Sequence, residues 1–273
     1  MPRAPPTDFS STAHCVFSLS VVTPKNASFP LTLPGTKLPP KLVVFDLDHT
    51  LIAGDSTILW TEWLYEKGIV KDPIWRQIDR EMIREYSQGH LDMPAFIRKH
   101  SGAFRKIPVA EIEKLVVEFV KKRIAPIAFP DGKKWVRNCT QAGIPMVVLS
   151  ATTTFIVAPV AKLVFGINEA IGIDLVEEAG FFTGEIAGVP SFQEGKITRL
   201  RAVTERMGIG LEDVLFFTDS RNDLPLAEAA GFTCCVNPDP VLLTAARRNG
   251  WKVLDWKLAL RTQLALDAKK SAD

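Results

Sequence analysis

The sequence predicts an α/β protein: a doubly wound, mainly parallel sheet with an all-helical domain inserted after its first strand. Three observations carry this. Short apolar, β-branched runs alternate with helical patterns, as they do where crossover helices cover a parallel sheet. Polar residues follow several of these runs directly, and open α/β sheets bind ligands beyond the carboxyl ends of their strands. The helical stretch after the first run, from Ile58 to about Ile124, is too long for a crossover.

Taken in order, Lys41–Phe45 is a buried strand ending at Asp46. In the insert, Trp60, Trp63 and Leu64 recur at helical spacing, as do Ile112, Leu115, Val116 and Phe119. Gly68, Pro73, Gly89-His90, Pro94 and Pro108 punctuate it, and Pro126 and Pro130 close it. Lys133–Gln141 is then a helix stopped by Gly143, and Pro145–Ser150 a second strand. Leu163–Glu178 holds a helix end and a third strand, and Gly180–Gly188 a hairpin. Lys196–Met207 is a helix, Val214–Thr218 a fourth strand, Leu224–Ala230 a helix and Phe232–Val236 a fifth strand.

This organisation assigns 41–55 and 126–273 to the α/β core and 56–125 to a helical cap. Residues 1–40 hold eight of the 19 prolines and hardly any charge, and read as a disordered tail or an over-long start.

Composition narrows the function classes. In 273 residues, 47% are apolar and 23% charged, an ordinary globular balance that excludes a wholly disordered or collagen-like chain. Apolar runs stay at strand length, well short of the roughly 18–20 residues a membrane span needs. Lys and Arg number 33 against 31 acids; residues 1–40 hold three of the bases and one acid, so the remainder is neutral. Neither nucleic acid nor membrane is an expected partner; Lys121-Lys122-Arg123 reads as a solvated helix face, and the cytoplasm is the expected location. The four cysteines lack metal-ligand spacing, and Cys234 and Cys235 should point to opposite sides of a strand as core thiols.

The residues that follow the strands carry chemistry. They are Asp46-Leu-Asp48-His-Thr50 after the first, Ser150-Ala151-Thr152 after the second and Asp219-Ser-Arg-Asn222-Asp223 after the fourth. Four carboxylates and two hydroxyls would converge on one rim. Such carboxylates raise each other's pKa, and oxygen-only ligands favour Mg²⁺ as the remedy. Lys196 follows Gly195 at a helix start, where a phosphate also meets free backbone N–H groups. A carboxylate nucleophile, Mg²⁺ and a lysine fit phosphoryl transfer.

In these four motifs the sequence resembles the haloacid-dehalogenase-type phosphatase superfamily, with a Rossmann-like core and the small cap of its phosphoserine-phosphatase-like branch. The resemblance implies that Asp46 is the nucleophile that becomes an aspartyl phosphate and Asp48 the general acid and then base. It implies that Asp46, Asp219 and the Asp48 backbone carbonyl hold Mg²⁺. Ser150, Ala151, Lys196 and Asn222 would bind phosphate, with Thr50 and Asp223 supporting the site. Dehalogenases of this superfamily lack the second carboxylate, so Asp48 points to phosphate-ester cleavage.

Substrate choice falls to the cap. Asp55 stands where phosphoserine phosphatases carry a Glu that reads the substrate amine; the alternative is that it only caps a helix. Their carboxylate-reading Arg would fall near His100, with Arg98 two residues away. The expected substrate is a small amine-bearing phosphate ester, phosphoserine-type or else histidinol phosphate. A phosphomutase and a phospho-accepting signalling module are the rival functions. Trp60, Trp63, Trp75 and Phe96 are expected to form the cap's own core.

Overall fold

The computed structural model describes residues 31–33, 35, 37–260 and 262–263. The expectation for residues 1–40 therefore falls largely outside the described residues, as does Cys15.

Among the described residues, six parallel strands form one sheet in the order β3-β2-β1-β6-β7-β8. They are β1 (Leu42–Phe45), β2 (Met146–Thr153), β3 (Glu169–Ile173), β6 (Val214–Thr218), β7 (Phe232–Val236) and β8 (Lys252–Leu254). The chain winds outward from β1 to β3, then returns past β1 to β6 and winds the other way. Strand order therefore switches between β1 and β6, where such sheets open a crevice. The register sets Phe45 opposite both Val148 and Phe217, so residues leaving β1 and β6 start at one level.

Strand alternation divides the core. Val43, Phe45, Val148, Leu215 and Phe217 face one side, whereas Leu42, Val44, Val147, Leu149 and Phe216 face the other. Cys234 and Cys235 lie in different clusters on opposite faces, as their adjacency in a strand requires.

Four helices of the insert follow β1: α1 (Ser56–Glu66), α2 (Ile74–Gln88), α3 (Met93–His100) and α4 (Val109–Phe119). Each begins where the sequence supplies a start. Asp55 and Asp92 accept hydrogen bonds from the Ile58 and Ala95 amides at 3.0 and 2.9 Å, and Pro73 and Pro108 precede α2 and α4. Gly89 ends α2 in the left-handed region at φ 74°. The last helix runs on through a wider π-type turn at Val120–Ile124. The chain then returns beside the loop after β1, where the Ala53 amide donates to the Ile127 carbonyl and the Phe129 amide to the Leu51 carbonyl.

Trp60 and Trp63 are buried as expected, but not in a core private to the cap. The Trp60 ring meets Phe119 at 5.3 Å and Phe155 at 5.9 Å. Phe155 belongs to α6 (Thr154–Val160), so the aromatic core runs unbroken from the cap to the sheet.

Three boundaries differ from the sequence expectation. Helix α5 (Pro130–Ala142) begins at Pro130, which occupies the first helical turn rather than closing the preceding block. The hairpin comprises β4 (Leu175–Glu178) and β5 (Phe181–Ile186), five residues earlier than expected. Its two-residue turn is Ala179-Gly180, both with positive φ (49° and 80°), as a type I′ turn demands. The sequence also gave no sign of α9 (Pro240–Asn249) and the three-residue edge strand β8. The remaining helices are α7 (Glu194–Met207) and α8 (Leu224–Ala229).

Gly172 on β3 controls how closely β2 approaches. A Cβ there would sit 2.6 Å from the Thr152 carbonyl oxygen and 2.7 Å from the Thr154 nitrogen, both backbone atoms. The β2–β3 register shifts between Leu149 and Thr153, the segment that holds Ser150, Ala151 and Thr152. Gly172→Ala should therefore destabilise the protein by about 2 kcal/mol, lowering the melting temperature by roughly 5 °C. Calorimetry reads this directly, and an unchanged melt would mean the two strands have slack.

Candidate active site

Asp46 leaves β1 with its amide donating to the Phe217 carbonyl (2.9 Å), and the residue is 5% exposed. Lys196, at the start of α7 and wholly buried, donates from Nζ to Asp46 Oδ1 and Asp223 Oδ2, both at 2.8 Å. Thr218 Oγ1, at the end of β6, donates to the same Asp223 oxygen at 2.7 Å. Three chain segments thus meet on one ammonium.

The next turn places the other acids. His49 takes a left-handed φ of 55°, and the Leu51 amide donates back to the Leu47 carbonyl at 2.8 Å. This turn aims Thr50 inward, where its hydroxyl donates to Asp219 Oδ1 at 2.9 Å. Asp48 is held differently. The Ser56 amide donates to its Oδ1 and the Thr152 hydroxyl to its Oδ2, each at 2.7 Å. Ser150 is buried; its Oγ accepts from the Thr152 amide (3.2 Å) and its carbonyl from Ser191 Oγ (2.6 Å).

Burial drives the electrostatics. It raises Asp46 from 3.8 to about 7; Lys196 opposes this, and Asp223 and Asp48 add to it. Burial, then the Asp46 charge, pushes Asp219 well above its ordinary value. For Lys196, burial favours the neutral amine, but Asp223 and Asp46 outweigh it and hold the ammonium charged. One lysine does not neutralise this cluster. Asp46 and Asp219 offer two carboxylates, and the Asp48 side chain turns elsewhere. Among the described residues no three acidic, His or Cys side chains gather as a metal cluster. The donor set, two under-compensated carboxylates with oxygens only, fits a hard dication completed by backbone or water oxygen.

The structure brings Asp46, Asp48, Thr50, Ser150, Lys196, Asp219 and Asp223 to one rim, with Ala151 at the end of the same strand. Asn222, expected to bind phosphate, donates from Nδ2 to the Tyr86 carbonyl (3.0 Å) and to Ser220 Oγ (3.3 Å), a contact that ties the cap to the core. Gln193 makes a parallel tie, its Nε2 donating to the Gly89 carbonyl at 3.4 Å.

Arg98 lies exposed beside Glu185 of the hairpin, with 3.8 Å between charged atoms. It sits on the outward side of α3, whereas His100, two positions on, points inward. His100 is buried, stacked on Phe96 at 5.1 Å, with Nε2 3.0 Å from the Thr61 hydroxyl and 3.4 Å from Asp79 Oδ1. Burial lowers its pKa to about 4. Asp55 caps α1, and burial raises it to about 7, with Asp48 and Asp79 adding to the rise.

One participant escaped sequence reasoning. Tyr86 of α2 brings its phenol near Ser220; burial, then Asp223, Asp46 and Asp219, raise its pKa well above the ordinary value. Thr152, one of the hydroxyls expected on the rim, anchors Asp48.

A family model for haloacid dehalogenase-like hydrolases matches residues 43–228. The chain belongs to this family. A histidinol-phosphatase of Neisseria meningitidis is 36% identical over 220 residues, covering 79% of this chain and 99% of that protein. A phosphoserine phosphatase of Methanocaldococcus jannaschii is 24% identical, covering 74% and 88%. A crystal structure of a protein of unknown function from Bordetella pertussis superposes with a TM-score of 0.72 at 33% identity, covering 80% and 99%. A substrate-bound phosphoserine phosphatase shares the fold, with a TM-score of 0.61 at 23% identity over 84% of this chain and 99% of that one. As a haloacid dehalogenase-like hydrolase with these relatives, the protein is a phosphoric monoester hydrolase. Among its described residues no helix is long and apolar enough to cross a membrane.

Two buried groups of the cap tie stability to pH with opposite signs. His100 stays neutral in the fold down to about 4, against 6.5 ordinarily, so its contribution is full above 6.5 and is lost as pH falls towards 4. Asp79 is raised from 3.8 to about 7 by burial, so its contribution is full below 3.8 and is lost as pH rises through 7. His100→Gln should therefore cost less stability at about pH 5 than at about pH 7.5 in urea unfolding. Equal costs would show that His100 is not buried as the neutral ring.

Proposed function

We propose that the protein is a Mg²⁺-dependent phosphatase that cleaves a small amine-bearing phosphate ester of the histidinol phosphate kind through an aspartyl-phosphate intermediate. The observation that carries the reading is the pairing of two differently held carboxylates. Asp46 is bound on one oxygen by Lys196, leaving the other to attack, while Asp48 is fixed by the Ser56 amide and the Thr152 hydroxyl.

In the first step an Asp46 oxygen bonds to phosphorus and the ester P–O bond breaks. The departing alkoxide takes its proton from Asp48. In the second, Asp48 takes a proton from water as that oxygen attacks phosphorus. The P–O bond to Asp46 breaks, and inorganic phosphate leaves. Lys196, the Ser150 hydroxyl and the Ala151 amide bind the phosphoryl oxygens, and Thr50 keeps Asp219 oriented. Asp46, Asp219 and the Asp48 carbonyl would hold Mg²⁺, which supplies positive charge to the phosphoryl oxygens. The raised pKa values of Asp46 and Asp219 support that assignment, since both acids ionise together only beside a further cation.

The substrate reading rests on Asp55, the buried acid that caps α1, and on the two bases of α3. Arg98 faces Glu185 on the surface and His100 is a buried neutral ring, so both bases expected to read a substrate carboxylate are otherwise engaged. An amino alcohol phosphate needs no such base, whereas phosphoserine does. The relative named histidinol-phosphatase agrees with this order.

Free-phosphate release with Mg²⁺ tests it. Histidinol phosphate should exceed phosphoserine in kcat/KM by ~10-fold or more, the scale of one charge-assisted contact; the reverse ranking overturns the substrate. Asp46→Asn and a chelator should each abolish turnover, and Asp48→Asn should lower kcat by ~10²–10⁴-fold. Turnover surviving in Asp46→Asn would reject the covalent route.

A further inference from the structure

Gln193 stands where a glycine is expected. The Gly195 amide donates to the Phe192 carbonyl at 2.9 Å, closing a four-residue turn whose second residue is Gln193, at φ 48° and ψ −126°. These are the angles of the first central residue of a type II′ turn, a position that favours glycine because a Cβ there is strained. The turn leads straight into α7. The Lys196 amide donates to the Gln193 carbonyl at 3.0 Å, so the helical turn that delivers Lys196 is built on this residue. A side chain persists in such a conformation only where its surroundings hold it there.

The Gln193 amide reaches two groups from different parts of the chain. Its Nε2 donates to the Gly89 carbonyl at the end of α2 and to Asn222 Oδ1 in the turn after β6, each at 3.4 Å. Asn222 in turn donates from Nδ2 to the Tyr86 carbonyl, three residues before Gly89, at 3.0 Å. Gln193, Asn222, Tyr86 and Gly89 thus close a ring. Arg221 adds to it: a Cβ on Gly89 would stand 3.3 Å from Arg221 Nε and 3.5 Å from its Cζ, so the guanidinium lies against the end of α2. The last turn of α2 carries no base of its own, and a cation there is favourable. The carboxyl end of a cap helix is therefore capped by side chains of the two loops that supply Lys196 and Asp223.

We infer that Gln193 is a positioning residue: its amide seats the end of α2 on both catalytic loops and keeps the start of α7, and with it Lys196, in register with Asp46 and Asp223. This rests on the phosphoryl-binding role given to Lys196 above and extends it to the residue on which that lysine's helix is built. Gln193 acts through Lys196 and Asn222, not on the ester. Its two contacts are long for neutral hydrogen bonds, and bonds of this kind at catalytic sites tighten when substrate is bound.

Two substitutions that remove the amide separate this role from a structural one. Gln193→Met keeps the side-chain length and the backbone strain, whereas Gln193→Gly removes the strain as well. Gln193→Gly should therefore melt about 2–4 °C above Gln193→Met. Hydrolysis of p-nitrophenyl phosphate with Mg²⁺ should nevertheless lose ~10-fold or more in kcat in both, the scale of a slightly displaced catalytic group, with KM within about 3-fold of the parent. Gln193→Arg, which restores N–H donors at similar reach, should recover kcat to within about 3-fold of the parent. A side chain kept only for structure would make activity follow stability, leaving Gln193→Gly as active as the parent. If Gln193→Met does not fold, the loss in Gln193→Gly and the recovery in Gln193→Arg are still both required. A kcat within about 2-fold of the parent in Gln193→Gly, a kcat that follows the melting temperature across the variants, or no recovery in Gln193→Arg would overturn the inference. Turnover persisting in Asp46→Asn would instead reject the chemistry in which Lys196 acts, which keeps the two failures apart.

Discussion

A single ammonium group organises this molecule. Lys196 comes from the first turn of α7, Asp46 from the end of β1, and Asp223 from the turn after β6; they meet where water hardly reaches. An ammonium or a carboxylate alone at that depth carries a desolvation cost of several kcal/mol. Each is tolerable only with the others in place, so the three segments are fixed relative to one another by charge as well as by packing. Thr218 donates to the same Asp223 oxygen as Lys196, and Thr50 orients Asp219, to which Lys196 makes no hydrogen bond. The sheet supplies the geometry for this, since strand order reverses between the two strands that deliver the aspartates.

Charge left over after that pairing defines what the site can do. Two carboxylates remain under-compensated, and a third, Asp48, is held apart by a backbone amide and a threonine. A site with surplus negative charge next to a fixed cation favours a further cation, the part that the proposed function gives to Mg²⁺. The cap repeats the theme at lower intensity, with buried acids and a histidine kept neutral by its surroundings.

Residues that leave strands were legible in the sequence because a strand's direction and period settle where its next residues go. Asp46, Ser150 and Asp219 needed only the apolar runs before them, and Lys196 only the helix it opens. Residues on the cap helices were not. Arg98 and His100 differ by two positions, which on a helix separates outside from inside, and no pattern in the sequence says which face the hairpin will cover. Asp79 and Tyr86 were invisible for the same reason, since their roles arise from what packs against α2. Asn222 followed its motif in the chain, yet its amide is taken by the cap carbonyl of Tyr86, a contact between segments more than a hundred residues apart in sequence. The hairpin was misplaced because Leu175–Glu178 continues the apolar character of the strand before it, and only the turn at Ala179-Gly180 marks the true boundary.

The unbroken aromatic core between Trp60, Phe119 and Phe155 divides the helical insert mechanically. Helices α1 and α4 are built into the same packed mass as the sheet, so moving them means unpacking tryptophan. Helices α2 and α3 add a second, smaller cluster, joined to that mass through the His100 ring against Phe104 and the ties at Tyr86 and Gly89. Displacing either half of the insert therefore disturbs buried aromatic packing, but only the α1 half shares its tryptophans with the core of the sheet.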